Sequence, residues 1–260
     1  MKSRNTRRKF GQNYLKDPAI LIQMGGAINP KKSENILEIG PGLGALTNQI
    51  NLEGVNIVGI DIDEENINYL KKKFHGPAQF YFVKENILKY QLKDTNQRVV
   101  GNLPYNISTQ IILKLIDNAK NIIDMHFLVQ KEVAEKISGA VGTKDWGKLA
   151  IKIAAFFESQ ILFDVPPDAF DIKPKVNSSF IRLLPKQNIT SNLAIKNNFF
   201  KLIDLAFISR RKNIKNNLKS LNVDWSKMNI DPSKRPEELS LSQFISLARN
   251  ILLNESLRNW

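Results

Sequence analysis

Short apolar, β-branched segments alternate with segments of helical spacing along the first two thirds of the chain. Five such segments predict strands: "NILEIG", "NIVGID", "QFYFVK", "RVVGN" and "MHFLVQ". The intervening stretches, such as "DEENINYLKKKF", have the apolar period of a helix. This alternation is typical of a parallel sheet covered by helices. Two later segments, "AAFFESQILFDV" and "SSFIRLLP", are expected to be the last strands and to run antiparallel.

The pattern changes near residue 190, after which helices follow one another without strands. The segment "LAIKNNFFKLIDLAF" carries an apolar stripe at helical spacing, which we interpret as core packing: Phe199, Leu202, Ile203, Ala206 and Phe207. A last helix is expected to begin after Ser240, which can cap it. The sequence therefore predicts an α/β domain over residues 1–186 and a small all-α domain over residues 187–260.

A glycine-rich turn follows the first predicted strand. In "ILEIGPGLGALT", Gly40, Gly42 and Gly44 lie between strand and helix, where they allow a ligand to approach the backbone. Asp61 ends the second strand, where a carboxylate can accept hydrogen bonds from ribose hydroxyls. The spacing G-x-G-x-G departs from the dinucleotide fingerprint and favours S-adenosylmethionine, which has no phosphate, as the cofactor. A purely structural turn is the alternative for the glycines alone.

Asn86 follows the third predicted strand in "KENIL". At the carboxyl edge of the sheet, its side-chain carbonyl could recognise the amino group of adenine. A turn-forming asparagine explains the spacing equally well.

The fourth strand leads into "GNLPYN", a turn whose polar and aromatic residues suggest more than a structural role. The side-chain oxygen of Asn102 and a backbone carbonyl of Leu103 or Pro104 could both accept hydrogen bonds from an adenine amine. Such a grip would favour the pyramidal geometry in which the lone pair of the amine can attack a methyl group. Tyr105 could stack on the extruded base. A Pro-Tyr loop cap would explain the proline but not the asparagine.

The net charge of the chain indicates a polyanionic binding partner. The 260 residues carry a net charge of +13, which favours nucleic acid, although a solvated lysine-rich surface is the alternative. The basic residues that we predict to bind RNA lie in two groups: Arg7 and Arg8, then Arg210, Arg211, Lys212 and Lys215. Two separated patches suit a folded RNA held by its phosphates.

Cysteine is absent, and His75 and His126 lie far apart without a ligand-like neighbour, so we expect no metal site and two structural histidines. The chain has no apolar run of membrane-spanning length and no secretory signal, so we expect no membrane association and a cytoplasmic location.

Six blocks, taken in order, resemble the ribosomal RNA adenine dimethyltransferases of the KsgA/RsmA type. The blocks are "RRKFGQNYLKD", "EIGPGLGALT", "GNLPYNIS", "MHFLVQKEVAEKI", "VPPDAFDIKPKVNSSFIRLLP" and "FISRRKNIKNNL". The resemblance implies a Rossmann-like class I S-adenosylmethionine-dependent methyltransferase sheet with a small all-α C-terminal domain. It also implies an enzyme that dimethylates N6 of two adjacent adenosines near the 3′ end of small-subunit rRNA. The implied partner is the assembling small ribosomal subunit, and a monomer is expected.

The resemblance also assigns residues that spacing alone does not. It places donor contacts on six positions: Asn13, Leu15, Gly40, Asp61, Asn86 and Asn102. It places Phe170, in "PDAFDIKP", opposite Tyr105 across the target base, with core packing as the alternative. Asp61 and Asn86 stand where this family usually has glutamate and aspartate; Asn86 keeps the side-chain carbonyl and adds an amide donor.

Two other functions share these motifs. Large-subunit rRNA methyltransferases of the macrolide-resistance type have the same donor motifs and a similar N-L-P-Y element, although "MHFLVQKEV" and "FISRRKNIKNNL" favour the small-subunit type. A non-catalytic assembly factor could keep the fold and the donor site, but the intact Asn102 and Tyr105 argue against it.

Overall fold

The structure is a computed structural model that describes residues 13–75, 78–186, 193–221 and 223–253. The strands are β1 (Asn35–Ile39), β2 (Asn56–Asp61), β3 (Gln79–Lys84), β4 (Gln97–Asn102), β5 (Ile122–Gln130), β6 (Phe157–Val165) and β7 (Ser178–Pro185). The α-helices are α1 (Pro18–Ile28), α2 (Ala45–Ile50), α3 (Glu64–Lys73), α4 (Ser108–Leu115), α5 (Lys131–Ile137), α6 (Lys148–Ala154), α7 (Leu193–Ala206), α8 (Ile214–Asn217) and α9 (Leu241–Leu253). Short 3-10 helices are Ile116–Asn121, Pro167–Ala169, Trp225–Lys227 and Pro236–Glu238.

The strands form one seven-stranded sheet in the order β3-β2-β1-β4-β5-β7-β6. The first five pair in parallel, and β7 runs antiparallel to β5. All five predicted strands of the parallel part are confirmed, as is the antiparallel direction of β7. Strands β1 and β4 are buried along nearly their whole length, which explains why they are continuous apolar runs in the sequence.

Helix boundaries follow local chemistry. Helix α1 begins after Asp17, whose carboxylate accepts hydrogen bonds from the N–H groups of Ala19 and Ile20. Helix α3 starts with two acidic residues and ends with three lysines, an order that the helix dipole favours. Helix α9 follows Ser240, whose hydroxyl accepts from the N–H of Gln243 at 3.3 Å, so the predicted cap is confirmed.

The chain divides into two compact units. The first consists of residues 1–134 and 159–185, and the second of residues 135–158 and 186–260. The predicted domain boundary at residue 186 differs from this division for residues 135–158, which belong to the second unit. The reason is packing within that unit, where Trp146 and Ile151 share an apolar cluster with the stripe of α7. The indole of Trp146 also donates to the carbonyl of Leu239 at 2.8 Å.

A buried ion pair joins β4 to β5 in the first unit. The guanidinium of Arg98 donates to both carboxylate oxygens of Asp124 at 2.8 Å, and a further contact reaches Glu34 at 3.1 Å. His126 is fully buried beside this pair, and among the described residues neither ring nitrogen has a hydrogen-bond partner. Burial lowers the pKa of His126 to about 4; Asp124 opposes the shift, and Arg98 and Arg182 add to it.

His126 should make the fold less stable in acid. The ordinary pKa is 6.5 and the folded value about 4, so the unfolded chain binds more protons between these pH values. The free energy of unfolding should therefore fall by up to about 3 kcal/mol from this residue as the pH drops from 6.5 to 4. His126→Phe keeps an apolar ring against Phe180 and should flatten that slope in urea unfolding.

The other histidine provides the control. His75 is exposed, so His75→Gln should leave the slope as it is in the unaltered protein. An unchanged slope in His126→Phe would show that the buried imidazole does not set the acid limit.

Candidate active site

The glycine turn after β1 forms one wall of a cavity at the carboxyl edge of the sheet. The N–H of Gly40 donates to the carbonyl of Ile60 at 2.8 Å, which ties the turn to β2. Gly42 has φ +57°, and a Cβ there would lie 2.8 Å from the ring of Tyr14. A side chain at Gly42 would therefore be strained and would collide with the neighbouring segment.

The cavity has a volume of about 210 Å³. Eight of the residues predicted for the donor and the catalytic turn line it: Asn13, Gly40, Asp61, Asn86, Asn102, Leu103, Pro104 and Tyr105. They come from the ends of four strands and from the segment before α1, so the fold brings distant motifs to one place. Tyr14, Ile62 and Asn106 also line the cavity, and sequence reasoning missed them.

Asp61 is 7 % exposed and holds three donors around its carboxylate. Its Oδ1 accepts from the N–H of Asp63 at 2.8 Å. Its Oδ2 accepts from the N–H of Gly42 at 3.2 Å and from the amide of Asn66 at 3.0 Å. Burial raises the pKa of Asp61, and these hydrogen bonds oppose that shift. They fix the carboxylate in the cavity wall.

Asn102 ends β4 with its side chain oriented by a backbone group. Its Nδ2 donates to the carbonyl of Asn13 at 2.8 Å. Since the nitrogen is engaged there, Oδ1 is the atom of this amide that can accept a hydrogen bond from a bound amine. The Tyr105 hydroxyl, three residues on, shares a 2.5 Å hydrogen bond with the hydroxyl of Ser178. No local pattern pointed to Ser178, because its partner is 73 positions away.

Leu15 and Phe170 do not line this cavity. Phe170 is fully buried in an apolar cluster of the first unit, and it forms an isolated antiparallel bridge with Leu15. The N–H of Lys16 donates to the carbonyl of Ala169, and the N–H of Asp171 to that of Tyr14, both at 2.8 Å. These backbone bonds fix the segment around Phe170, whose ring is buried in the core and does not line the cavity with Tyr105. Core packing, the alternative for Phe170, is what is observed.

Asn86 lines the cavity, but its side-chain carbonyl has another partner. Oδ1 accepts from the N–H of Leu88 at 2.9 Å, and the backbone carbonyl of Asn86 accepts from Lys89 and Tyr90. The side chain therefore forms the turn that was the alternative interpretation. With Oδ1 bonded in the turn, Nδ2 is the better placed group to face a ligand.

Glu38 is a buried acid that sequence reasoning passed over, although its place inside the apolar strand "NILEI" was a signal. It is 1 % exposed, and its Oε2 accepts from the hydroxyl of Thr47 at 2.6 Å. Burial raises its pKa to about 7; the Thr47 hydrogen bond opposes the shift, and the nearby charge of Asp61 adds to it. Glu38 lines a second cavity of about 330 Å³, together with Leu15, Gly40 and Asn102.

Two buried carboxyl groups beside a glycine turn at this edge of the sheet are suited to a cationic ligand with hydroxyl groups. The family model described as "Ribosomal RNA adenine dimethylase" matches residues 3–252. The chain belongs to this family.

Curated relatives of this dimethylase-family chain carry a more specific name. A Legionella pneumophila (strain Corby) protein called "Ribosomal RNA small subunit methyltransferase A" is 39% identical over 250 residues, which cover 94% of this chain and 97% of that protein. A Coxiella burnetii (strain RSA 331 / Henzerling II) protein of the same name is 37% identical over 258 residues, covering 97% and 100%.

Solved structures confirm the α/β, Rossmann-like fold class. A dimethyladenosine transferase from Plasmodium falciparum gives a TM-score of 0.76 at 24% identity, covering 94% of this chain and 98% of that one. The 23S rRNA methyltransferase ErmE gives 0.71 at 22% identity, covering 92% and 99%.

The predicted RNA-binding residues are divided between the described and undescribed parts of the chain. Arg7 and Arg8 lie outside the described residues. The second group is exposed in the second unit: Arg210, Arg211, Lys212 and Lys215. Arg210 also donates to the carbonyl of Lys144 at 2.9 Å.

No group of three or more histidines or acidic residues in the described part of the chain could hold a metal ion. None of the helices there is long and apolar enough to cross a membrane.

Glu38 should limit stability at alkaline pH. Its folded pKa of about 7 lies above the ordinary 4.5, so the folded chain binds more protons than the unfolded chain between these pH values. The contribution of Glu38 to the free energy of unfolding is therefore fully present below pH 4.5 and is lost as the pH rises through 7. Glu38→Gln keeps an acceptor for Thr47 and removes the charge. We expect this variant to gain up to about 3 kcal/mol over the unaltered protein at pH 8, and little at pH 4.5, in urea unfolding.

Glu53→Gln makes the same chemical change at an exposed site and should follow the unaltered protein at both pH values. An equal offset of Glu38→Gln at pH 4.5 and pH 8 would mean that its carboxyl group does not titrate in this range.

Proposed function

We propose that this protein transfers methyl groups from S-adenosylmethionine to the exocyclic N6 of two adjacent adenosines near the 3′ end of small-subunit rRNA. The family and the names of the curated relatives support rRNA methylation. The observation that carries the assignment of the site is the Asn102 side chain, which lines the cavity and whose nitrogen donates to the carbonyl of Asn13, so that its oxygen is the group that can accept from an amine.

The residues around the cavity suit the methyl donor. S-adenosylmethionine, when bound, supplies a methyl group on a positively charged sulfur. Asp61 would accept hydrogen bonds from the ribose hydroxyls, and its fixed carboxylate is preorganised for this. Glu38, with a pKa of about 7, would pair with the α-ammonium group, and its ionised form would then be favoured.

The adenine of the donor would lie against Asn86. Because Oδ1 of Asn86 accepts from Leu88, we assign its Nδ2 as donor to N1 of the adenine ring. Asn13 and Gly40 would contact the amino-acid end of the donor, near Asn102. Leu15 would contribute indirectly, through the packing of the segment that carries Asn13.

The target amine requires orientation more than a strong base. Its lone pair is delocalised into the adenine ring, so two acceptors that hold its hydrogens favour the pyramidal form. Asn102 Oδ1 would be one acceptor, and the carbonyl of Leu103 or Pro104 the other. Proline at position 104 fixes φ and has no competing N–H. As the nitrogen bonds to the methyl carbon, the carbon–sulfur bond would break and leave a neutral thioether, and the methylated amine would release one proton to water; the amine can therefore be neutral when it reacts.

Tyr105 would stack on the extruded adenine. It lies in the same turn as Asn102 and lines the cavity, and burial raises the pKa of its phenol, which therefore stays neutral at pH 7. After the first transfer the amine has one hydrogen fewer to donate. The second transfer should therefore depend more on stacking than on the two acceptors.

RNA binding is assigned to the basic groups. The exposed Arg210, Arg211, Lys212 and Lys215, with Arg7 and Arg8, would contact phosphates of the folded RNA that carries the extruded base. We propose the assembling small subunit as the particle recognised, with the protein acting as a monomer in the cytoplasm.

Asn102→Ala should remove most of the methyl transfer while largely preserving donor binding. Loss of one preorganised polar group at a reacting centre typically costs about a hundredfold to a thousandfold in rate. The measurement is single-turnover transfer from labelled donor to unmethylated small subunits, with the modified bases mapped and donor affinity determined by calorimetry. Asn68→Ala, at an exposed asparagine of α3 that does not line the cavity, is the control and should stay near the unaltered rate. Near-normal dimethylation by Asn102→Ala would refute the assignment.

Charge reversal in the second unit should weaken RNA binding and reduce its salt dependence. For the triple change Arg211→Glu, Lys212→Glu, Lys215→Glu, we expect the salt slope to fall by about 0.7 to 0.9 for each phosphate that the protein no longer neutralises. Arg210 is left in place because it holds the Lys144 carbonyl.

The matched control changes net charge equally outside the patch, at Lys71, Lys89 and Lys93, which are exposed in the first unit. Filter binding over a salt series would compare the two proteins. Equal slopes would indicate that only net charge matters and would remove the patch from the RNA-binding surface.

A further inference from the structure

The hydroxyl of Tyr105 is held by a side chain from a distant strand. Tyr105 Oη and Ser178 Oγ are 2.5 Å apart, with either atom able to donate. Ser178 is fully buried and opens β7, where it pairs with Gln130 of β5. This contact links the proposed base-stacking ring to the antiparallel part of the sheet, away from the turn that carries its backbone.

The backbone of Tyr105 is fixed separately. The hydroxyl of Ser108 donates to its carbonyl at 3.4 Å, and the N–H of Ile107 donates to the carbonyl of Pro104 at 3.1 Å. With the backbone held at the start of α4 and the phenol held by Ser178, both ends of the side chain are constrained. A ring with only its Cα fixed could still rotate about two torsions.

The position of this ring matters because stacking requires the ring to lie over the base. Base–aromatic stacking contributes roughly 1 to 3 kcal/mol, and the gain depends on whether the ring already faces the base when it arrives. A tyrosine tethered at its hydroxyl is pre-organised in this way, whereas a phenylalanine there would lack the tether.

The neighbouring serine has a different partner. Ser179 is also fully buried, but its hydroxyl donates to Oδ1 of Asp164 at 2.6 Å. Asp164 in turn forms an ion pair with Lys131 at the surface. Two adjacent serines of one strand, equally buried, thus make separate contacts, and Ser178 is the one bonded to a residue of the cavity wall.

We propose that Ser178 is a positioning residue for base methylation, which fixes the position of the Tyr105 ring against the target adenosine through their shared hydrogen bond. The proposal rests on the proposed function, since it assumes that Tyr105 stacks on the base. Because the second transfer depends most on stacking, loss of the tether should affect the second methyl group more than the first.

The experiment compares four variants: Ser178→Ala, Tyr105→Phe, the double variant, and Ser179→Ala as the matched control. Donor affinity is measured by calorimetry, and single-turnover transfer to unmethylated small subunits is followed at saturating donor and RNA. Mass spectrometry gives the ratio of monomethylated to dimethylated adenosine. Thermal unfolding of each variant reports any general loss of stability.

Ser178→Ala and Tyr105→Phe should each slow transfer by roughly three- to tenfold, the effect of one hydrogen bond, and raise the monomethyl fraction. The double variant should be no slower than either single one, because both changes remove the same bond. Donor affinity should not change, and Ser179→Ala should keep the unaltered rate and product ratio even if it lowers the melting temperature.

Additive effects in the double variant, or equal rates and product ratios for Ser178→Ala and Ser179→Ala, would overturn the positioning role. Tyr105→Phe keeps the ring and tests the same bond if Ser178→Ala folds poorly. Absence of rRNA methylation by the unaltered protein would instead refute the proposed function, so the two failures are distinguishable.

Discussion

The parallel pairing of β1 with β2 and β4 is the constraint on which the site depends. Strands that run in one direction end at one edge, so residues that follow them meet in space although they are far apart in the chain. Gly40, Asp61 and Asn102 are brought together in this way. An antiparallel neighbour would have placed one of these ends at the opposite edge. The antiparallel β7 reaches the site through Ser178, its first residue, because that strand begins where the others end.

Burying two carboxyl groups at the carboxyl edge of the sheet disfavours their charged forms. Burial raises the pKa of Glu38 and Asp61, whereas burial lowers that of His126, which lies within β5. The two kinds of group change the free energy of unfolding in opposite directions as the pH rises from about 4.5 to 6.5. The contribution of His126 increases over this range, whereas that of Glu38 decreases. A cationic ligand beside Glu38 would offset the second effect only, because it would favour the ionised form of that carboxyl group.

Sequence predicted the strands, the glycine turn and most of the cavity wall because those signals are local. An apolar run, a glycine and a residue at a strand end can each be recognised without knowing the fold. The positions of Phe170 and Asn86 depend instead on contacts with other residues. Phe170 forms a bridge with Leu15, and Asn86 forms a turn with Leu88. Ser178 and Asn66 were missed for the same reason, since hydroxyl and amide side chains give no periodic signal and their partners lie on other elements.

The buried segment around Phe170 also helps to orient the side-chain amide of Asn102. Phe170 packs in the core and bridges Leu15, and the backbone bonds of residues 169 and 171 hold the segment on either side. The carbonyl of Asn13 lies just before that segment and accepts from the nitrogen of Asn102, which leaves the oxygen as the accepting group of this amide. The core packing of Phe170 is therefore connected to the Asn102 side chain through the segment that carries Leu15 and Asn13. Strand β4 could not supply the carbonyl itself, because the carbonyls of a central strand point to its neighbours in the plane of the sheet.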